Sequence, residues 1–567
     1  MPQENQITSQ LYVKIDGADL SPEYMNVLME GIVDENTSVP DMFTLRFRDD
    51  KAEMIDDSLF EPAKAVEISA TTEAGTEVVI FKGEITAVEP EFREGKAVDM
   101  VIRGFDKTYR MYREVKTRTF LKMTDSDIAT KIAQEGGLSP QVDSTQTVYD
   151  YVSQNNQTNL AFLTQRAWRI GFECFEDDQK LYFRKPPTGG GAVTLTWGED
   201  LRTFRPVLSV AEQVDEVLVR GWDIRKKEAI VGKAKKGELY ASTAITGTGQ
   251  SKASSLGTGK KTIVNLPVTS QAEADKLAQA RINELSGMCV TATGSAFRRP
   301  DLRAGQVVKL EQLGSRFSGS YLVTAVRHVF DSTGFTSEFE VSGLRSGLLS
   351  DLLMPQESVQ RWPGAVSGIV TNTDDPEKLG RVKVAFPWMD DNVESHWARV
   401  ISPGAGKERG LFMLPDVGDE VVLIFDHGDF DHAYVVGGLW NGKDKIPPTA
   451  GDHKPLVRSW RSHEGHQITI DDTPQKKNIQ IITASEDFKL ILDDKNKKIE
   501  LTTKGGHKLI LDDMGKNVDL ESSGTMNIKS ALPMSIKSDA NISIEGKLVE
   551  IKSTGPVSVS GKPVNIN

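Results

Sequence analysis

Apolar and polar residues alternate along most of this chain. TLRFRD (44–49), EVVIFKGEITAVEP (77–90) and AVDMVIRGF (97–105) place apolar side chains at alternate positions, as strands with one buried face do. Three stretches take helical spacing instead. Between Thr124 and Leu138, Ile128, Ala129, Ile132 and Ala133 share one face, Thr124 and Asp127 suit a capping box, and Gly136-Gly137 supplies a stop. Leu160, Leu163, Ala167 and Ile170 make a second helical stripe within 156–172, and Ala274, Leu277, Ala278, Ile282 and Leu285 a third within 269–287. The stretch 226–261 is rich in Gly, Ser, Thr, Lys and Ala with few large apolar groups, so it predicts a flexible excursion. Strands resume at 306–313, 319–330 and 337–344. The expectation for residues 1–360 is a mainly β region with a few helices, divided into two barrel subdomains.

A compact all-β unit follows at 365–442. AVSGIVT, GRVKVAFPW, HWARVIS, GDEVVLIFDHG and AYVVGGLW predict five short strands, which suits a small barrel of the oligonucleotide/oligosaccharide-binding type. Residues 443–465 read as a linker, and 466–567 repeat. HQITIDD at 466 returns as FKLILDD and HKLILDD, each followed by a second strand: NIQI, KIEL and NVDL. Beyond Gly524 the period shortens, and Ile528, Ile536, Ile544, Ile551, Val559 and Ile566 recur at steps of 8, 8, 7, 8 and 7. Each such strand carries only a thin apolar stripe, too little to stabilise a solitary chain. The repeat therefore coils on itself as a solenoid or winds together with other copies, and the narrow strands favour the intertwined form.

Composition narrows the function classes. Lys plus Arg is 68 against 81 for Asp plus Glu, a net charge of −13, which disfavours nucleic acid as a partner. No apolar run approaches the roughly 18–20 residues that span a bilayer, and the polar start MPQENQITSQ lacks the features of a secretory signal. Cys174 and Cys289 alone exclude a disulfide framework or a thiolate metal cluster.

The order of these parts resembles the VgrG-type spike of type VI secretion systems and related contractile injection particles, a fusion of phage tail hub and needle. GIVTNTDDPEKLGRVKVAFPW (368–388) and LPDVGDEVVLIFDHGD (414–429) are similar to the family's barrel signature, and NLAFLTQRAWRIGFECF resembles a segment of its hub. The resemblance implies a homotrimer made in the cytoplasm, seated on tail-tube and baseplate proteins and ending in a trimeric β-helix. It further implies a PAAR-type tip protein on Val564, Asn565, Ile566 and Asn567, possible toxin cargo, transient contact with the target membrane and a final location outside the cell or in the target envelope. Gly380, Arg381, Pro387, Trp388, Gly418, Asp419 and Glu420 are the expected architectural residues of the barrel, and the octad Ile/Val series those of the needle. A His-x-His apex iron site is not carried over, because the last histidine is His507. The rival readings are a glycan-binding, adhesin-like fibre and a cell-wall hydrolase on a β-helical stalk.

Candidate chemistry is sparse, and no catalytic, cofactor or metal residue is assigned. His427 and His432 flank GDFD, and His463 and His466 surround Glu464, but HEGH is one residue short of a zinc-protease helix motif. The glycine-rich 247–262 fails the phosphate-loop pattern at Ser254 and Lys261. Asp471-Asp472, Asp493-Asp494 and Asp512-Asp513 recur with the repeat and read as turn residues, with a weak surface cation site as the functional option. Phe386, Trp388, Trp397 and Trp440 read as packing groups rather than a stacking platform.

Overall fold

The computed structural model describes residues 10–94, 98–191, 193–223, 226, 228–244, 257–264, 266–343, 362–389, 392–444, 446 and 456–566. The chain forms two compact units, 1–441 and 442–567. The fold is mainly β, with large antiparallel sheets, one small closed barrel and a C-terminal set of antiparallel strands.

The three longer helices start where their caps dictate. Thr124 and Asp127 form a full capping box for Asp125–Glu135. Thr158 caps Asn159–Ile170, which stops at Gly171 in the left-handed conformation that glycine adopts without strain. Ser270 caps Gln271–Gly287. Their apolar stripes are buried: Ile128, Ile132, Leu160, Leu163 and Phe183 share one core, and Leu277, Ile282, Val217 and Ile230 another.

The largest sheet has eleven strands in two halves. Leu11–Ile15, Leu28–Asn36, Met42–Arg48, Ala65–Thr71, Glu77–Phe92 and Val98–Phe105 enclose a core around Phe43, Phe47 and Phe60. Leu201–Leu208, Val290–Phe297, Ala325–Asp331 and Gly334–Val341 cover a second core around Tyr321 and Phe339. Leu28–Asn36 pairs antiparallel with Ala325–Asp331 and joins the halves into one sheet, because each offers its edge strand to the other.

The flexible excursion is corrected in part. Glu228–Ala234 is a strand paired with Glu216–Asp223, and Ile230 and Ala234 are buried. Its small residues serve close packing rather than mobility: a Cβ on Gly232 would lie 2.3 Å from the Ala274 carbonyl. Residues 245–256 lie outside the described residues.

The small barrel closes from Val366–Asn372, Arg381–Ala385, Ala398–Val400, Ala433–Gly438 and Glu420–Phe425, in that order around the ring. The second unit holds seven strands, each paired antiparallel with its sequence neighbour, from Val457–Arg461 to Asn517–Glu521. The first of them falls in the stretch read as a linker. For 524–566 the single chain forms no strands among the described residues, although six were expected. A strand of about five residues gains its backbone hydrogen bonds only from a neighbour, and the described residues place none beside them.

Candidate assembly surfaces

The barrel residues singled out in the sequence shape its loops. Gly380 holds φ +72° and turns the chain into the strand Arg381–Ala385. Arg381 is buried and donates from Nε and Nη2 to Asp375 at 3.1 and 2.7 Å, with Glu377 3.1 Å away. Burial opposes the charge of Asp375, but Arg381 and backbone N–H groups outweigh it and lower the carboxyl to about 2. Trp388 donates its indole N–H to the Ser367 carbonyl at 2.7 Å. Gly418, at φ +98°, donates its N–H to the Val370 carbonyl, the Asp419 carboxylate accepts from the Asp416 N–H, and Glu420 accepts from Asn441. Pro387 is exposed.

The aromatic grouping differs from the expected one. Phe386 and Trp388 belong to a cluster with Trp362, Phe425 and Phe430, with the Phe386–Phe430 and Phe425–Phe430 rings 4.9 Å apart. Trp397 instead lies under the Lys383 ammonium, and Trp440 is mostly exposed.

Sequence reasoning missed a clasp between the barrel and the helical region of the first unit. The helix Asn159–Ile170 supplies Arg166, paired with Asp125 at 2.6 Å and stacked on Tyr149, and Arg169, paired with Glu273 at 2.7 Å. The barrel supplies Asp429, Asp431 and His432 from one loop. The Ser153 N–H donates to Asp431 at 3.0 Å, and the Tyr151 hydroxyl donates to the Glu394 carbonyl at 2.8 Å beside His396. Burial opposes a charge on His432, but Asp429, 3.2 Å away, and Asp431 outweigh it and raise the imidazole to about 9. Burial, reinforced by Asp429, pushes Asp431 up to about 6, and burial pushes His396 down to about 4. The spaced Asp/His letters of GDFDH were the only signal, and they read equally well as a polar loop.

In the second unit the strand register aligns two apolar ladders on one face. Ile470, Ile479, Leu492, Ile499, Leu511 and Val518 stand directly opposite one another across six strands, and Ile468, Ile481, Leu490, Leu501, Leu509 and Leu520 form the parallel row two residues away. Ile468, Ile470, Ile479, Ile481, Leu492, Ile499, Leu501 and Leu511 remain 38–48% exposed. Further on, Ile528, Ile536, Ile544, Ile551, Val559 and Ile566 are 67–90% exposed, and Val564 is 46% exposed. Asn565 is exposed, and Asn567 lies outside the described residues.

The remaining candidate residues have structural duties. Asp471 accepts from the Thr473 N–H, Asp493 from the Asn496 N–H and Asp512 from the Gly515 N–H, all as turn caps. His466 accepts from the Ala484 N–H. Among the described residues no group of three or more His, Cys, Asp or Glu is arranged to hold a metal.

A family profile described as the Alg8 N-terminal domain matches residues 7–331, more than half of the chain. The chain belongs to that family. Beside this Alg8-type N-terminal region, residues 366–440 match the type VI secretion system/phage-baseplate injector OB domain. The type VI secretion spike protein VgrG5 of Pseudomonas aeruginosa is 39% identical over 152 residues, 25% of this chain. The actin cross-linking toxin VgrG1 of Vibrio cholerae is 26% identical over 238 residues, 38% of this chain. The matched stretches span only 18% and 22% of those relatives' own lengths. A Francisella PdpA–VgrG complex shares the fold at 9% identity, with a TM-score of 0.54 over 87% of this chain and 88% of that one. Beyond its Alg8-type region, this chain is thus distantly similar to VgrG-type spike proteins of type VI secretion systems and carries a barrel of the phage-baseplate injector type.

Proposed function

We propose that the chain is the homotrimeric spike of a contractile injection machine, a mechanical part rather than an enzyme. The observation that carries this reading is the pair of apolar ladders. Twelve aliphatic side chains form one continuous face that the described residues of the second unit leave partly exposed, and the turns at Asp471, Asp493 and Asp512 beside them are capped and regular. At roughly 25 cal/mol per Å² of apolar surface, leaving such a face in water forfeits most of what the strands could gain by folding. Three copies facing inward bury it, and they also supply the octad strands with the neighbours they lack. The first unit sits on tail-tube and baseplate proteins, and sheath contraction drives the needle into the target envelope. A PAAR-type protein covers the end at Val564–Asn567. The barrel residues Gly380, Arg381, Trp388, Gly418, Asp419 and Glu420 keep the barrel module in shape.

The test is the solution mass of the whole chain beside a chain truncated after Asp444. A mass near three times 62.4 kDa, made dissociable by the truncation, supports the spike. A monomer with a stable C-terminal unit overturns it and favours the adhesin-like fibre.

A further inference from the structure

The small barrel carries an arm that its own core does not need. Between Val400 and Pro415 the chain leaves the barrel wall, forms a two-residue ladder from Ala405–Gly406 to Arg409–Gly410, and returns. The arm is held in shape locally: the Ser402 hydroxyl bonds to the Gly404 and Leu411 carbonyls at 2.9 and 2.6 Å, and the Leu411 N–H donates to the Gly404 carbonyl at 2.9 Å. On its return it presents Leu411, Phe412 and Met413 in succession, all exposed, with Phe412 at 80%. The Phe412 ring rests against the Cα side of Gly380, where a Cβ would lie 3.6 Å from its edge. Three consecutive exposed large apolar residues on an ordered, hydrogen-bonded arm are a mark of an interaction surface. The tip adds Lys407 and Arg409, with Glu408 between them.

The same barrel has a second uncovered apolar site of opposite charge. Leu439 and Trp440 follow the last barrel strand, with Trp440 at 71% exposure. They lie against Glu420, whose backbone carbonyl accepts from the Leu439 N–H at 2.7 Å, and Asp419 precedes it. Val417, also exposed, stands two residues before Asp419. One site is therefore an apolar arm with a cationic tip, and the other an apolar shoulder edged by carboxylates.

We propose that the arm of one copy docks on the Trp440 shoulder of the next copy of this chain. Complementary patches at different places on one surface produce a head-to-tail contact, which closes into a ring when the rotation between copies allows it. Phe412 fills the space beside Trp440 while Lys407 and Arg409 approach Asp419 and Glu420. This inference rests on the trimeric reading and adds to it a directional ring at the barrel, separate from the ladders of the second unit. The charged rim fixes which copy an arm selects, and the aromatic pair supplies the buried centre.

Cysteine capture in the full chain tests it. Phe412→Cys and Trp440→Cys change exposed positions, and the native Cys174 and Cys289 are buried. The double variant, Phe412→Cys with Trp440→Cys, is treated with a short bismaleimide and resolved on a denaturing gel, beside each single variant and with sedimentation of every sample. A three-chain covalent band from the double variant alone is the expected result. A trimer by sedimentation whose double variant yields no covalent multichain band overturns the arm-to-shoulder contact and leaves the spike reading intact. A two-chain band from Phe412→Cys alone shows arm meeting arm and also overturns it. A monomer by sedimentation overturns the spike reading together with this one.

Discussion

The small barrel and the seven strands of the second unit are written in the same alternating code, yet one hides its apolar side chains and the other displays them. In the barrel, Val382, Val384, Val421 and Leu423 are fully buried. In the second unit the equivalent side chains stand about two-fifths exposed. The connections make the difference. The barrel has long links, 373–380 and 386–397, and a parallel pairing of Ala398–Val400 with Ala433–Gly438, so its sheet crosses over and closes. The described strands of the second unit are joined by short links of four to six residues, which place each strand beside its predecessor. Its sheet therefore stays open, and in the proposed trimer other chains do what closure does in the barrel.

The comparison breaks most sharply if charge enters the ladders. Ile481→Asp together with Ile499→Asp should abolish the three-chain mass seen by light scattering while the first unit keeps its melting transition. If assembly survives, the ladders do not face partner chains. In the barrel, Phe386→Ala should cost about 3–5 kcal/mol of that unit's stability by denaturant titration without altering the mass, because its cavity opens inside one chain. Removing one partner of the buried pair, Asp375→Ala, should cost about 3 kcal/mol, since Arg381 is left charged and uncompensated. The smallest effect concerns the clasp. His432 is raised to about 9, so its contribution is complete below the ordinary imidazole value of about 6.5 and is lost as pH rises through 9. The melting temperature of the first unit should fall between pH 7 and 10, and His432→Gln should flatten that fall.

Local signals carried far in this sequence. All five barrel strands, the capping box at Thr124 and Asp127, and the six repeat strands from Gln467 to Glu521 lie where alternation and turn residues place them. Long-range features left no such trace. Nothing in LMEGIVDEN announces that it pairs with AVRHVFD almost three hundred residues later, and nothing around Arg169 points to Glu273. Asp375 went unremarked beside Arg381 because an Asp-Pro pair reads first as a turn. The strand Glu228–Ala234 was missed because its small residues, which let it lie against the helix Gln271–Gly287, look the same as those of a flexible loop.

The pairing of Leu28–Asn36 with Ala325–Asp331 also sets a timetable for synthesis. At about 5–20 residues per second, roughly 15–60 s pass between the emergence of the first strand and that of its partner. During that interval the nascent N-terminal half presents an unpaired strand edge, a template for pairing with another chain. Newly made molecules on one messenger are thus most prone to mispair before the second half of the sheet has left the ribosome, and slowing translation between residues 36 and 325 should lower the yield of native protein.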